Sequence, residues 1–406
     1  MILLTYVLLF ISLYFEVFLL VSFLEKSLEK SPARVKTRTR TPSVAIVVPC
    51  FNEEKGLAST LKSLCALSYP KGKLEILVID DGSTDGTLAI ANSFASDSRV
   101  KIFSKENGGK HSAMNLALSS THAELIGCLD ADSIVAPRAL QHIVQVFENE
   151  TVAAVTPGIF VKETNNALQH MQQVEYHLSV FNRFILAVLG STFITPGPFS
   201  IFRTAIVREL GGWRHGHSTE DMEMAMRMQA AGHLIGNAPR AEVHTSTPRS
   251  LRALFRQRVR WTYGFLRNVF DFRHMIGSRK FGNLGLIVLP SSILSVGIGI
   301  YFFIRLLWQA TSSIAHEYTK IAVTQSIPHA HFDAFYINTS AMWFLVWLSV
   351  LLILVLISAG SWIGTGTRKL PWFGTSLFVF LYCFIVPTWL VAAAFRAVFR
   401  TGVQWR

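Results

Sequence analysis

The sequence is poor in cysteine, in charged residues and in repeats. Its four cysteines show no paired spacing, so a reduced, cytoplasmic setting is expected. Only 16% of the residues are charged while 50% are hydrophobic, which is too apolar for an ordinary soluble protein of 406 residues. No DNA- or RNA-reading motif accompanies the net charge of +12. We therefore expect the basic surface to face membrane lipids and phosphate groups, and no nucleic-acid partner.

The apolar excess is concentrated in four segments, which are residues 1–24, 284–308, 342–363 and 372–395. Each is long enough to cross a hydrocarbon core of about 30 Å as a helix. The first lacks a basic n-region and an Ala-x-Ala cleavage site, so we expect a signal anchor that is not removed. The sequence thus predicts a multi-pass protein of the cell membrane, with a polar domain between membrane segments.

Basic residues predict the orientation of the polar domain. Six of them follow the first apolar segment: Lys26, Lys30, Arg34, Lys36, Arg38 and Arg40. By the positive-inside rule, this linker and the domain after it lie in the cytoplasm. Three later spans would place the C-terminus outside, yet Arg396, Arg400 and Arg406 follow the last span and two cations precede it. The charges leave open whether one apolar segment is re-entrant or lies in the interface.

The polar region alternates between strand and helix patterns. Strands are predicted at residues 44–48, 74–79, 100–103 and 125–129, with helices between them. This alternation predicts an α/β fold with a mostly parallel sheet, whose ligand site lies beyond the carboxyl ends of the strands. The amphipathic residues 168–189 are expected to lie either against the membrane or on a soluble surface. Residues 249–272 mix six arginines with aromatic side chains, which predicts an interfacial helix.

Two pairs of acids follow predicted strands. Asp130 and Asp132 come directly after residues 125–129, where their hard oxygens can hold Mg²⁺ or Mn²⁺ bridging a diphosphate. A solvated Asp-x-Asp turn would explain this pair equally well. Asp80 and Asp81 also end a strand and can accept hydrogen bonds from a base or a ribose, although a helix N-cap turn needs the same residues.

Two further segments carry polar residues suited to phosphate and proton chemistry. Residues 107–109 include two glycines that allow close backbone approach, and Lys110 can place a charge on a phosphate, unless the segment is a plain loop. Thr219, Glu220 and Asp221 open a helix, in which Thr219 can cap and the acids favour the first turn. The functional alternative makes Asp221 a general base that accepts a proton from an attacking hydroxyl.

The arginine-rich helix carries a fourth motif. Gln257, Arg260 and Trp261 are spaced to share one helix face. Arg260 can pair with phosphate oxygens, and Trp261 offers a flat apolar surface to a pyranose. Arg258 is expected to point elsewhere, towards lipid head groups. Taken alone, this pattern is also typical of an ordinary interfacial helix.

In this order, the four motifs resemble the family 2 glycosyltransferases of the GT-A fold. The closest likeness is to the membrane-bound processive synthases of cellulose, hyaluronan, chitin and poly-N-acetylglucosamine, over residues 44–267. The resemblance implies a GT-A nucleotide-sugar-binding domain inserted between transmembrane helices. The expected divisions are a transmembrane helix (1–24), a basic cytoplasmic linker (25–41), the GT-A domain (42–248), an amphipathic interface helix (249–280) and a C-terminal membrane region (281–406).

The resemblance also implies roles on the donor side of the site. Asp80 or Asp81 would contact the uracil of a UDP-sugar, and Lys110 would contact its diphosphate. Asp130 and Asp132 would bind nucleotide and a divalent metal, Mg²⁺ or Mn²⁺, with Asp132 as the main metal ligand.

On the acceptor side, the resemblance makes Asp221 the catalytic base and places Glu220 near the acceptor. Arg260 would bind pyrophosphate, and Gln257 and Trp261 would contact the acceptor sugar at the mouth of a channel.

The implied activity is inverting transfer from a UDP-sugar, with N-acetylglucosamine or glucose favoured, to a growing β-linked polysaccharide. Its expected partners are membrane lipids and accessory export subunits. The alternative is a non-processive enzyme that adds one sugar to ceramide, diacylglycerol or a polyprenyl phosphate. Residues 193–199 stand where the known synthases carry an acceptor-lining motif and do not match it, which leaves the acceptor open. A non-catalytic scaffold would require all the acidic motifs to be remnants.

Overall fold

The structure, a computed structural model, describes residues 2–28, 41–325, 341–367 and 370–400. Of the six basic residues of the predicted linker, Lys26 alone lies within the described residues. Arg406 and the two cations before the last apolar segment also lie outside them.

A sheet of eight strands forms the centre of the polar region. The strands are β1 (Val44–Cys50), β2 (Leu74–Asp80), β3 (Val100–Ser104), β4 (Leu125–Cys128), β5 (Ile134–Val135), β6 (Val152–Val161), β7 (Ile201–Arg203) and β8 (Leu234–Thr245). Their spatial order is β3-β2-β1-β4-β7-β6-β8-β5. The first four strands are parallel, as predicted, and β6 is parallel to β8. The short strand β7 is antiparallel to both β4 and β6, and β5 is antiparallel to β8.

Helices cover both faces of the sheet. In the polar region they are α2 (Leu57–Cys65), α3 (Thr87–Asn92), α4 (Lys110–Ser120), α5 (Ala139–Val146), α6 (Ala167–Val188), α7 (Thr204–Glu209), α8 (Glu220–Ala230) and α9 (Leu251–Asp271). Alternate residues of β1 enter opposite cores: Val44 and Ile46 pack with α2 and α5, whereas Ala45 and Val47 pack with α4 and α8. Burial of both faces explains why the parallel strands are continuous apolar runs.

Within the described residues, four helices are long and apolar enough to cross a membrane. They are α1 (Ile2–Leu28), α10 (Leu289–Thr324, preceded by a π-helical turn), α11 (Ala341–Thr365), and α12 (Trp372–Leu377) continued through a π-helical turn by α13 (Cys383–Phe399). This number agrees with the four predicted apolar segments. The chain therefore has the composition and helix lengths of a membrane protein.

Helix α6 lies between the sheet and the apolar helices. Two glycines of α11 allow the contact: a Cβ added at Gly360 would lie 2.0 Å from the carbonyl oxygen of His177, and one at Gly364 would lie 2.6 Å from the Phe160 ring. Phe181 and Ile185 of α6 are fully buried in the same cluster as residues of α1 and α11. Helix α6 is therefore packed between the sheet and the apolar helices, which is neither of the two positions expected for residues 168–189.

Candidate active site

The turn after β2 is fixed by the carboxylate of Asp80. Its two oxygens accept hydrogen bonds from the Ser83 amide at 3.2 Å and from the Ser104 hydroxyl at 3.1 Å. The loop after β1 is hydrogen-bonded to the same turn, since the side-chain oxygen of Asn52 accepts the Thr84 amide proton at 2.8 Å. Two strand ends are thereby joined into one rigid rim at the carboxyl edge of the sheet.

Asp81 organises the glycine-containing loop that leads into α4. Its carboxylate accepts hydrogen bonds from Lys105 Nζ at 2.6 Å and from the amides of Gly108 and Gly109 at 3.0 and 2.8 Å. Gly109 has a φ of +83°, a conformation that favours glycine. The loop that delivers Lys110 to the site therefore depends on one buried carboxylate.

Replacing Asp81 with Ala is expected to lower the free energy of unfolding by roughly 3 kcal/mol, because two amides and an ammonium lose a charged acceptor. We also expect weaker nucleotide binding, measured by titration with UDP. Glu106→Ala is the matched control, since Glu106 is exposed in the same loop. Its effect should stay within about 0.5 kcal/mol. Equal stability of the two variants would contradict this role of Asp81.

Lys110, the first residue of α4, joins two of the predicted motifs. Its Nζ lies 2.6 Å from Asp130 Oδ1 and 3.7 Å from Glu220 Oε1. Burial opposes its charge, but the surrounding negative groups, led by Asp130, hold the pKa of Lys110 well above its usual value. A Cβ added at Gly197 would lie 2.4 Å from Lys110 Nζ and 2.8 Å from Asp130 Oδ2. A side chain at position 197 would have to displace the ends of Lys110 and Asp130, so the segment that lacked a family match lies directly over this ion pair.

The chemistry of Asp130 and Asp132 suits a divalent cation. Burial, together with the charges of Asp130 and Glu53, raises the pKa of Asp132 to about 6, so a cation here would relieve an unfavourable concentration of negative charge. Within the described residues, no cluster of three or more His, Cys, Asp or Glu side chains is placed to hold a metal. A two-carboxylate set fits Mg²⁺ or Mn²⁺, whose other ligands are commonly water and substrate phosphates.

Asp221 lies at the start of α8 in a small cavity shared with Lys110, Glu220 and residues 195–197. Its backbone oxygen accepts the Thr195 hydroxyl proton at 2.7 Å, and its Oδ1 accepts the Met222 amide proton at 2.9 Å. Burial and the neighbouring charge of Glu220 raise the pKa of Asp221 to about 6, against the opposing charges of Lys110 and Arg260. A carboxyl with a pKa in this range is suited to exchanging protons at neutral pH.

The expectation that the Thr219 side chain caps α8 is wrong. Its hydroxyl donates to the carbonyl oxygen of Gly216 at 2.9 Å and accepts from the Asn268 amide at 2.8 Å. The reason is the close packing of α9 against this residue: a Cβ added at Gly264 would lie 2.3 Å from Thr219 Oγ1. The hydroxyl is used to attach α9 to α8, which brings the arginine-rich helix to the mouth of the site.

The expectation that Arg258 faces lipid head groups is also wrong. Arg258 is buried, and its Nη2 lies 2.8 Å from Glu175 Oε2 on α6. The Tyr382 hydroxyl donates to the same carboxylate oxygen. The Arg258 guanidinium also lies 4.3 Å from the centre of the Trp261 ring, which stays 37% exposed. Because α6 and the α12–α13 unit supply partners for this cation, it turns inward and fixes the orientation of Trp261.

Several buried polar atoms on α6, on α9 and just before α9 have no hydrogen-bond partner among the described residues. They include Gln172 Oε1, Arg183 Nε and Nη2, Thr247 Oγ1, Gln257 Oε1 and Arg258 Nε. Helical spacing puts Gln172, Tyr176 and Arg183 on one face of α6. The charges of Arg258, Glu175, Arg183 and Asp132 all act on the Tyr176 hydroxyl. This face therefore borders the carboxylates of the site, and its open hydrogen-bonding capacity suits a polar ligand.

The structure brings most predicted residues to one cleft. Asp130, Lys110 and Glu220 are linked directly, and the charge of Arg260 acts on Asp221 while its Nη1 approaches the Ser218 carbonyl oxygen at 3.4 Å. Asp80 and Asp81 stand at its rim as supports of the loops. Sequence reasoning missed Gly197, Glu175 and Arg183. Two signals in the sequence could have identified them: the Pro-Gly-Pro segment, and the spacing of charges on the amphipathic residues 168–189.

Residues 42–264 match the family model described as glycosyltransferase like family 2. The chain is 28% identical over 225 residues to poly-β-1,6-N-acetyl-D-glucosamine synthase of Staphylococcus epidermidis, covering 54% of each protein. It is 30% identical over 266 residues to β-monoglucosyldiacylglycerol synthase of Nostoc, covering 62% of this chain and 56% of that protein. The chain thus spans about half the length of the curated relatives it matches.

Among solved structures, the fold is similar to that of the mannosyltransferase PcManGT from Pyrobaculum calidifontis in complex with GDP-Man and Mn²⁺. The TM-score is 0.58 at 19% identity, over 97% of this chain and 99% of that one. This likeness and the family match confirm the predicted GT-A fold, and the family match covers more than half of the chain. The protein therefore belongs to glycosyltransferase like family 2.

Proposed function

We propose that this protein is a membrane-embedded inverting glycosyltransferase that transfers a sugar from a UDP-sugar to a growing β-linked polysaccharide. The observation that carries the proposal is the cavity in which Asp221 lies beside Lys110 and Glu220, with Lys110 bound to Asp130. This cavity places a proton acceptor beside a cation that is suited to a diphosphate. The relatives named for poly-N-acetylglucosamine and glucolipid synthesis support the reaction class.

The residues divide the work as follows. Asp221 takes the proton of the acceptor hydroxyl, whose oxygen attacks the anomeric carbon opposite the departing UDP, so that an α-linked donor gives a β-glycoside. Lys110 and Arg260 stabilise the charge that grows on the diphosphate. Asp130 and Asp132 would hold Mg²⁺ or Mn²⁺, which supplies Lewis-acid stabilisation of the same charge. Asp80 and Asp81 shape the loops that receive the nucleotide.

The acceptor sugar is assigned to the space between α6 and α9. There, Gln257 Oε1 is a buried acceptor that has no partner among the described residues, which suits a sugar hydroxyl. Trp261 presents one free ring face, because Arg258 covers the other. Incubating the purified protein with single labelled UDP-sugars and Mn²⁺ tests the proposal. A ladder of long products is expected, and a product limited to one added sugar would contradict processive synthesis.

A second candidate, transfer to a polyprenyl phosphate, is favoured by Arg183. Within the described residues, no carboxylate lies within ion-pair distance of this guanidinium, whose Nη1 donates to the Ser179 hydroxyl at 2.9 Å. Burial lowers the pKa of Arg183 to about 10. A buried cation that lacks a counter-charge is suited to an anionic ligand, such as the phosphate of a lipid acceptor.

Arg183→Gln distinguishes the two candidates. For a phosphate-bearing acceptor we expect the KM for that acceptor to rise by about tenfold or more, since a charged hydrogen bond is worth roughly 1.5–3 kcal/mol. The KM for the UDP-sugar should stay unchanged. For a neutral polysaccharide acceptor the substitution should leave both constants within about twofold. Arg267→Gln, on α9, provides a matched control for the loss of one cation.

The packing of α13 supports a topology that fits the charges. Tyr382, Trp389 and Ala393 form one cluster with Leu254, Val259 and Tyr263, so α13 runs along the amphipathic helix α9. We assign α12–α13 to the membrane interface and the three other apolar helices to spans. The C-terminus then lies on the cytoplasmic side with the catalytic domain, as Arg396 and Arg400 require.

Labelling of intact cells with an impermeant maleimide tests this topology. In a Cys383→Ala background, Thr324→Cys at the end of α10 should react from outside. Arg400→Cys should react only after the cells are permeabilised. Labelling of both positions in intact cells would show that α12–α13 crosses the membrane.

A further inference from the structure

A second cavity, of about 450 Å³, lies away from the catalytic cleft, where α1, α6 and α11 meet α5 and β8. Its walls differ in character. Phe23 of α1, Phe184 of α6 and Trp362 of α11 form an aromatic side, with Phe23 in edge contact with both other rings at 6.4–6.5 Å. The polar residues that line the cavity are Lys26 and Ser27 at the end of α1, and His142, Gln145, Asn237 and Arg240 of the sheet domain. Aromatic rings at a helix end beside a polar surface are typical of the headgroup region of a bilayer.

The polar side of this cavity is basic. Lys26, His142 and Arg240 line it, and none of the described residues that line it is acidic. Burial lowers the pKa of His142, and the charges of Arg240 and Arg138 lower it further against the opposing charge of Glu242. At neutral pH the imidazole is then a neutral hydrogen-bond donor beside two cations. This combination suits a phosphate group.

The side-chain oxygen of Asn237 suits a hydrogen-bond donor on the bound group. Its Nδ2 donates to the carbonyl oxygen and the hydroxyl of Thr156 at 3.1 and 2.9 Å, which fixes the orientation of the amide. Its Oδ1 is buried and has no hydrogen-bond partner in the part of the chain that the structure describes. A bound group that carries both a phosphate and a hydroxyl would satisfy the cations and this oxygen together.

We propose that this cavity binds the headgroup of an anionic glycerophospholipid. Lys26 and Arg240 bind the phosphate, and a headgroup hydroxyl donates to Asn237 Oδ1. The acyl chains follow the apolar surface of α1 and α11, where Val21, Leu24 and Trp362 are exposed. The anionic headgroup thus contacts basic residues, and the acyl chains contact an apolar surface. The bound lipid fastens two membrane helices to the sheet domain at a site that is independent of the sugar-transfer chemistry.

Native mass spectrometry of the full-length protein from nanodiscs containing phosphatidylglycerol and phosphatidylcholine tests the proposal. We expect wild-type protein to retain phosphatidylglycerol selectively. The double variant Lys26→Ala/Arg240→Ala should lose at least tenfold in retention, since each cation near an anionic headgroup contributes about fivefold. Arg138→Ala is the matched control: it removes a nearby exposed cation that does not line the cavity. Equal retention by the double variant and the control would overturn the proposal.

Thermal unfolding separates a lipid from a soluble anion. In lipid-free detergent, phosphatidylglycerol should raise the melting temperature of the wild-type protein and of Arg138→Ala, but not that of the double variant. Inorganic phosphate at millimolar concentration should have no such effect. If phosphate alone protects as well as the lipid, the cavity is a site for a soluble anion and the lipid assignment is wrong.

Discussion

The variant Asp221→Asn is expected to lose sugar transfer by a factor of about 10² to 10⁴, the usual contribution of a general base. The amide has the shape of the carboxyl group but cannot accept the acceptor's proton. UDP affinity should stay the same or rise slightly, because a negative charge near the diphosphate is removed. Initial rates with a labelled UDP-sugar and UDP titration by calorimetry measure the two quantities. Turnover at the wild-type rate would show that Asp221 is not the catalytic base.

The same residue predicts the pH dependence of the wild-type enzyme. Because the pKa of Asp221 is raised to about 6, its carboxyl is ionised at neutral pH and becomes protonated as the pH falls through 6. We expect kcat/KM to be halved near pH 6 and to fall about tenfold per unit below it. Asp271→Asn, an exposed position on α9, should keep the wild-type profile. Full activity at pH 5 would contradict this assignment.

The variant Gly264→Ala is expected to reduce transfer by about 10²-fold without unfolding the domain. Its new methyl group would lie 2.3 Å from Thr219 Oγ1, which is held by Gly216 and Asn268 and cannot easily rotate away. The strain is relieved if α9 moves outward, which carries Arg260 and Trp261 away from Asp221. A displacement of about 1 Å in a positioning element can cost that much in rate.

Gly297→Ala is the matched control for this change, since it also adds a methyl group to a helical glycine but meets nothing within 4 Å. Its transfer rate should equal that of the wild type. The double variant Thr219→Gly/Gly264→Ala removes every Thr219 atom that the new methyl group would approach and should regain part of the lost rate. If the double variant is no better than Gly264→Ala, the loss has another origin.

The sequence predicted the parallel half of the fold well, because a doubly buried strand is a continuous apolar run. Strands β1 to β4 each lie within two residues of the predicted bounds, and the polar residues after them meet at one edge as expected. Strands β5 to β8 were not predicted. Strand β7 contains three residues, and its direction depends on pairing with β4 and β6, which are distant in the sequence.

Side-chain direction was harder to predict where a residue's partner is remote in the sequence. The carboxylate that binds Arg258 lies 83 residues earlier, on α6, so the helix pattern alone pointed this arginine to lipid. Thr219 matched a capping motif, but its hydroxyl accepts a hydrogen bond from the side chain of Asn268 on a later helix. Local spacing identified the correct motifs, whereas tertiary contacts determine which atoms of each motif remain available to a ligand.

The glycines at positions 360 and 364 have a mechanical consequence. At Gly360 the α11 helix approaches the backbone of α6, since an added Cβ would lie 2.0 Å from the His177 carbonyl oxygen, and Gly364 leaves room for the Phe160 ring and the Val180 side chain. A membrane helix accommodates hydrophobic mismatch partly by tilting, within the limits set by its packing against neighbouring helices. The close contact at Gly360 therefore couples any tilt of α11 to α6, the helix whose Glu175 binds Arg258.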